Sequence, residues 1–140
     1  MTYLLDTNAC IAIMHGRPRL VRERFAVALA DGAAISVSSI VAFELWYGIA
    51  KSRHQARNTD RLRTFLGAPV EVMHFDEDDA QVAGMERARL ETAGTPIDAY
   101  DLLIAAQALR RQQTLVTANI GEVSRVRGLI WQDWAAPVAH

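Results

Sequence analysis

The amino-acid sequence predicts an α/β fold, a three-layer α/β/α sandwich around a mostly parallel sheet. Short apolar runs suited to strands fall at 3–5, 34–38, 70–75 and 114–117, and helix-like segments rather than hairpin turns separate them. The first run, "YLL", is apolar at consecutive positions, as a central strand covered by helices on both faces requires. With 140 residues, 51% of them hydrophobic, the chain is long enough to bury one core without disulfides or a structural metal, so 1–140 is expected to form a single domain.

Each element has a local reason. The first strand runs into Asp6, and "DTN" reads as a helix-capping turn as readily as a site. A helix is predicted over 18–30, a strand over 34–38, and a strongly apolar helix over 40–52. A basic helix over 54–66, the strand at 70–75 and a helix over 77–92 follow; in the last, "DEDDAQVA" crowds four acids at the start, where they cap free N–H groups and meet the positive end of the dipole. In "GTPIDAYDLLIAAQAL" the stretch "TPID" reads as a capping box, with Thr95 as N-cap, Pro96 at N1 and Asp98 at N3, opening a helix over 96–111. The strand at 114–117 ends at a turn containing Asn119, and a last short strand is expected in "GLIWQDW".

Composition excludes several classes. No Gly, Ser, Pro or Gln tract suggests disorder, and the net charge of −1 does not mark a polyanion-binding protein. The charge is uneven, however: residues 1–70 carry nine Lys and Arg against five acids, and 71–140 carry six against eleven. Lys51, Arg53, Arg57, Arg61 and Arg63 cluster in the first half, and Arg53, Arg57 and Arg61 repeat at i, i+4 spacing as one helix face, either simply solvated or touching phosphates. Cys10 is the only cysteine, which suits a small buried hydrophobe in a reducing compartment. The start of the chain has no basic leader, and no uncharged run approaches the roughly 18 residues of a membrane span, so a cytoplasmic location is expected.

The carboxylates then divide by whether local structure explains them. Asp98 is explained by its cap. Asp101, one turn further on, shares its face with Ala105 and Ala108 and lacks such an explanation. Glu44 is the only charge in "IVAFELWYGIA", on a face shared with Ile40, Val41, Leu45 and Gly48, where the glycine suggests close approach of another element. Asp6 and Asn119 follow two strands in equivalent positions, which would bring them to one sheet edge. One site accounts for all four, with helices delivering Glu44 and Asp101. Carboxylates gathered there would have raised pKa values unless a cation neutralised them, and oxygen donors favour Mg²⁺ or Mn²⁺. His15, His54, His74 and His140 are scattered and Cys10 stands alone, which argues against zinc.

In these residues the chain resembles the PIN-domain ribonucleases, and among them the VapC toxins of bacterial toxin–antitoxin pairs. The resemblance spans nearly the whole sequence and rests on "LLDTN" at 4–8, "ELWYG" at 44–48, "GTPIDAYDLLIAAQA" at 94–108, "LVTAN" at 115–119 and "RVRGLIWQDW" at 125–134, in that order and spacing. It implies that Asp6, Glu44 and Asp101 form the acidic catalytic triad and hold the metal, with Asn119 at a fourth position that is Asp or Asn among relatives. Three positions depart from the pattern: Asp98 stands where Gly is common, Val41 where Ser or Thr often precedes the Glu, and Val123 where Phe is frequent. Asp98 is therefore either an extra metal ligand or a helix cap.

The resemblance further implies endonucleolytic cleavage of RNA with one or two Mg²⁺ or Mn²⁺ ions, leaving 5′-phosphate and 3′-hydroxyl ends. It also implies a homodimer silenced by a VapB-like antitoxin. Lys51, Arg53, Arg57 and Arg61, with the basic stretch from Arg17 to Arg24, then become candidate RNA contacts. Two alternatives stand beside it. A doubly wound phosphatase or phosphoacceptor domain would also place Asp6 after the first strand, but it calls for a second Asp at position 8 or a Lys after a later strand. A non-catalytic PIN scaffold would not need the intact set of acids.

Overall fold

Five short strands form one parallel sheet: β1 (Thr2–Leu5), β2 (Ala34–Ser38), β3 (Val70–Met73), β4 (Thr114–Val116) and β5 (Trp131–Gln132), in the order β3-β2-β1-β4-β5. The helices are α1 (Thr7–His15), α2 (Arg19–Ala30), α3 (Ser39–Ala50), α4 (Gln55–Gly67), α5 (Glu77–Thr92), α6 (Ala99–Arg111) and the single turn α7 (Ile120–Val123). These elements come from a computed structural model that describes residues 1–67 and 69–137; His140 lies outside the described residues. β1 is central, with Leu5 opposite Val37 of β2 on one side and Val116 of β4 on the other. Leu4 and Leu5 point to opposite faces of the sheet, yet both are fully buried, so helices cover both faces and the sandwich has three layers.

The strand order places a topological switch between β1 and β4: the chain steps outward through β2 and β3, then returns to the other side of β1 for β4 and β5. Ligands of open parallel sheets bind at such a point, beyond the carboxyl ends of the strands. The backbone there is continuous between the two strands, since the Asp6 N–H donates to the Val116 carbonyl at 3.1 Å.

Two helices, α1 and α7, have no counterpart among the elements expected from sequence. α1 forms because the Asp6 carboxylate accepts the Ala9 N–H and "ACIAIM" supplies a buried face. It stops at Gly16, whose φ of 73° is left-handed and whose position would bring a Cβ within 2.9 Å of the Arg22 guanidinium. Arg22 donates from Nε to the Ile13 carbonyl and from Nη2 to that of Met14, and Arg24 donates to the Asp133 carbonyl. Part of the basic stretch from Arg17 to Arg24 is therefore engaged in holding the fold.

Two acids of "DEDDAQVA", Asp76 and Asp79, open α5 with a capping box. The Asp79 side chain is also fully buried, and Arg110 Nε at 2.6 Å and Arg111 Nη2 at 2.9 Å meet it. This ion cluster ties the end of α6 to the start of α5, and so fixes the helix whose other end reaches the switch point.

Candidate active site at the carboxyl ends of β1 and β4

Asp6 leaves β1 at the switch point and is buried. Burial raises its carboxyl above the ordinary value, opposed by the Ala9 N–H and the Thr117 hydroxyl, while the charges of Glu44 and Asp133 raise it further. Glu44 comes from α3, which Ser38 caps at the end of β2. Val41 and Leu45 bury their face of α3, leaving Glu44 half-buried at its edge, where the Thr7 hydroxyl donates to Oε1 at 2.7 Å. Gly48 does not mark a close approach: a Cβ added there would meet nothing within 4 Å.

A second group of acids gathers around the start of α6. The Asn119 amide donates to Asp101 Oδ2 at 2.9 Å and to Glu122 Oε2 at 2.7 Å, bridging two carboxylates. Asn119 precedes α7, but its side chain caps nothing and is free for this bridge. The Asp101 carboxyl is raised to about 6, first by burial and then by the charge of Asp98, with Glu122 adding to the rise and the Asn119 amide opposing it.

The helix start differs from the sequence expectation. α6 begins at Ala99, not at 96, and Asp98 is its N-cap, accepting the N–H groups of Tyr100 and Asp101. Tertiary bonds hold the preceding residues outside the helix: Arg125 donates to the Pro96 carbonyl, and the Asp98 N–H donates to Glu122 Oε1 at 3.3 Å. Asp101 therefore occupies N3, inside the first turn, where the dipole favours a carboxylate; the expectation that it lay past the free N–H groups is corrected.

Glu122 was missed by sequence reasoning. The available signal was its i+3 spacing from Asn119 just beyond a strand, which returns both side chains to one face of a turn. Of the basic residues, Lys51, Arg53, Arg57 and Arg61 are exposed, and the Lys51 ammonium lies 4.8 Å from the centre of the Tyr47 ring. Arg53 lies in the turn before α4, so only Arg57 and Arg61 share a face of that helix. Asp98 is exposed, unlike Asp6.

The donor set fits a hard divalent ion in its chemistry: it consists of carboxylate and amide oxygens, and burial and like charges oppose ionisation of two of the acids. Asp6 and Glu44 make one group, and Asp101, Asn119, Glu122 and Asp98 another. Among the described residues no three His, Cys, Asp or Glu side chains converge tightly enough to form a ready metal cage, so the anticipated pocket of three carboxylates is not preassembled.

Comparison with known proteins places these features in context. The PIN domain family model matches residues 3–129. The chain is 36% identical over 134 residues to the tRNA(fMet)-specific endonuclease VapC of Salmonella typhimurium, covering 96% of this chain and 98% of that protein. It is 37% identical to Ribonuclease VapC2 of Rickettsia felis, with the same coverage. The solved structure of VapBC2 from Rickettsia felis bound to a DNA fragment from its promoter matches with a TM-score of 0.88 at 36% identity, over 96% of this chain and 99% of that chain. DNA-bound VapBC from Salmonella typhimurium matches with a TM-score of 0.87 at 36% identity, over 96% and 98%.

Proposed function

The chain belongs to the PIN-domain family and is an endoribonuclease of the VapC type, and we propose that Asp6, Glu44, Asp101 and Glu122 hold the divalent ion with which it cuts RNA. It is the toxin of a toxin–antitoxin pair, and the solved structures it matches are of VapBC complexes. The family reading sets aside a phosphoacceptor role for Asp6.

One observation carries the site assignment: the Asn119 amide bridges Asp101 and Glu122 at the switch point without supplying a charge to neutralise them. When bound, Mg²⁺ or Mn²⁺, singly or as a pair, supplies an activated water and positive charge for the phosphate. The chain's own residues provide order. The Ala9 N–H fixes the Asp6 carboxylate, the Thr7 hydroxyl sets the Glu44 rotamer, and Asn119 orients Asp101 and Glu122. Asn119 is thus as much a positioning residue as a candidate ligand, and Asp98 serves as the cap that places Asp101. Lys51, Arg53, Arg57 and Arg61 would meet phosphates outside the acidic site, attracting the substrate without taking part in chemistry.

Residues 1–140 act as one domain in this proposal, as a cytoplasmic homodimer bound by a VapB-like antitoxin. Among the described residues no helix is long and apolar enough to cross a membrane. The purified protein should cleave RNA to 5′-phosphate and 3′-hydroxyl ends with Mg²⁺ or Mn²⁺, and EDTA should silence it. Cleavage unchanged in excess EDTA, with metal removal verified, would refute the metal site.

A further inference from the structure

A cavity of about 190 Å³ opens between α1, α3 and α4, next to the acidic site. Its apolar walls include Ile11, Leu45, Ile49 and Leu62. Its polar lining joins the two charged regions of the chain: Glu44 of the acidic site and Arg61 of the basic helix face the same space, with Asn58 beside them. The opening thus lies between the basic helix and Glu44 of the acidic site.

We propose that the cavity receives one nucleobase of the RNA, adjacent to the phosphate that is cut, and so sets base preference at that position. The proposal rests on the assignment of Glu44 to the active site. Drug-sized ligands occupy pockets of roughly 300–1,000 Å³, so this smaller space suits a single ring system. Its apolar walls suit the faces of a base, and its polar groups suit an edge that carries both donors and acceptors. Asn58 lines the cavity, and its Nδ2 donates to Ser52 Oγ at 3.1 Å, which leaves Oδ1 to accept. Arg61 is exposed, and among the described residues no ion pair engages it.

Gly48 adds an independent observation. It sits inside α3, where glycine weakens a helix relative to alanine, and no neighbouring atom requires it, since a Cβ there would meet nothing within 4 Å. It lines the cavity, and the missing side chain leaves room for a flat ligand against the helix backbone.

The same geometry provides the test. Gly48→Leu fills the cavity without backbone strain, Gly48→Ala fills it in part, and both should melt no lower than the parent because each improves the helix. Cleavage would be followed on single-stranded RNA oligonucleotides that differ in one base beside the cut. Gly48→Leu should raise KM about tenfold or more with kcat nearly unchanged and erase the preference at that one position, with Gly48→Ala intermediate. Arg61→Gln should weaken the same preference. A folded Gly48→Leu protein with the parent's KM and base preference would overturn the proposal. So would one that cuts RNA normally but loses its co-expressed antitoxin, which would assign the cavity to the protein partner. If the parent shows no metal-dependent cleavage, it is the active-site assignment that fails, and anisotropy of the same oligonucleotides with chelated protein still decides the cavity: equal affinities of parent and Gly48→Leu would overturn it.

Discussion

Replacing Asp101 with Asn should abolish RNA cleavage and, with metal chelated, make the protein more stable. The Asp101 carboxyl is raised from 3.8 to about 6, by burial first and then by Asp98, with Glu122 contributing. A displacement of that size corresponds to about 3 kcal/mol opposing the ionised folded state. Asp101 is only half-buried, and screening by water reduces this to about 1–2 kcal/mol. The folded state holds the proton more tightly than the unfolded chain does. The penalty is therefore absent below the ordinary carboxylate value, grows as pH rises, and is complete above about 6. The substituted amide keeps its carbonyl as acceptor for Asn119 and can donate to Glu122, so no hydrogen bond is lost. For a domain of this size the gain is about 3–6 °C in Tm at pH 8, shrinking toward zero near pH 4. Thermal unfolding in EDTA at both pH values, with cleavage timed at saturating Mg²⁺, measures both effects. A Tm at or below the parent's at pH 8, or an equal gain at the two pH values, would refute the electrostatic argument; full activity would remove Asp101 from the site.

Asp98→Asn should retain most cleavage and lose only a few tenths of a kcal/mol, because Asn is as good an N-cap as Asp, whereas Asp98→Ala should cost about 1 kcal/mol; urea titrations separate the two. If Asp98→Asn is as inactive as Asp101→Asn while folded, Asp98 is a metal ligand rather than a cap. Glu122→Gln should reduce cleavage and move the acid limb of the pH–rate profile lower, because a negative charge beside Asp101 is removed; an unchanged profile would show that the two carboxylates do not communicate. Asp79→Asn should cost about 3 kcal/mol at pH 7, because a buried carboxylate is taken from two arginines. Although burial pushes the Asp79 carboxyl up, the bonds from Arg111 and Arg110 outweigh it and hold it at about 2, so this stabilisation is complete above about pH 4 and disappears as pH falls toward 2. Urea titrations of parent and variant that differ equally at pH 7 and near pH 2 would contradict that linkage.

The strands were legible because apolar runs without turn residues between closely spaced polar breaks admit few other solutions, and "YLL" could only be central. α1 was not, because its signal is divided: "ACIAIM" is apolar without clear periodicity, and the cap that starts the helix, Asp6, is also the strongest site candidate at that strand end. Asp98 illustrates the limit of local rules. "TPID" satisfies the capping-box pattern, yet bonds from Arg125 and Glu122, 24 to 29 residues away in sequence, hold Pro96 and Asp98 outside the helix and move its start. Gly48 misleads for a related reason. Sequence shows that a side chain is missing but cannot say whether another element or open space takes its place. The i, i+4 spacing of Arg53, Arg57 and Arg61 likewise ignores the break between α3 and α4.

Asp79 and Asp101 show how the same charge is treated in two ways within one fold. Both lie in the first turn of a helix, where N–H groups and the dipole favour a carboxylate, and for both the largest single influence is burial, which opposes ionisation. Asp79 receives two guanidinium groups and is driven down to about 2. Asp101 receives a neutral amide from Asn119 and two further carboxylates, Asp98 and Glu122, and is driven up to about 6. A neutral donor fixes geometry without cancelling charge, and the Thr7 hydroxyl does the same for Glu44. An arginine at either place would stabilise the empty protein and compete with any cation for the same oxygens. The direction of the displacement thus separates the carboxylate whose counter-charge is built into the chain from the one whose counter-charge has to be supplied by a ligand.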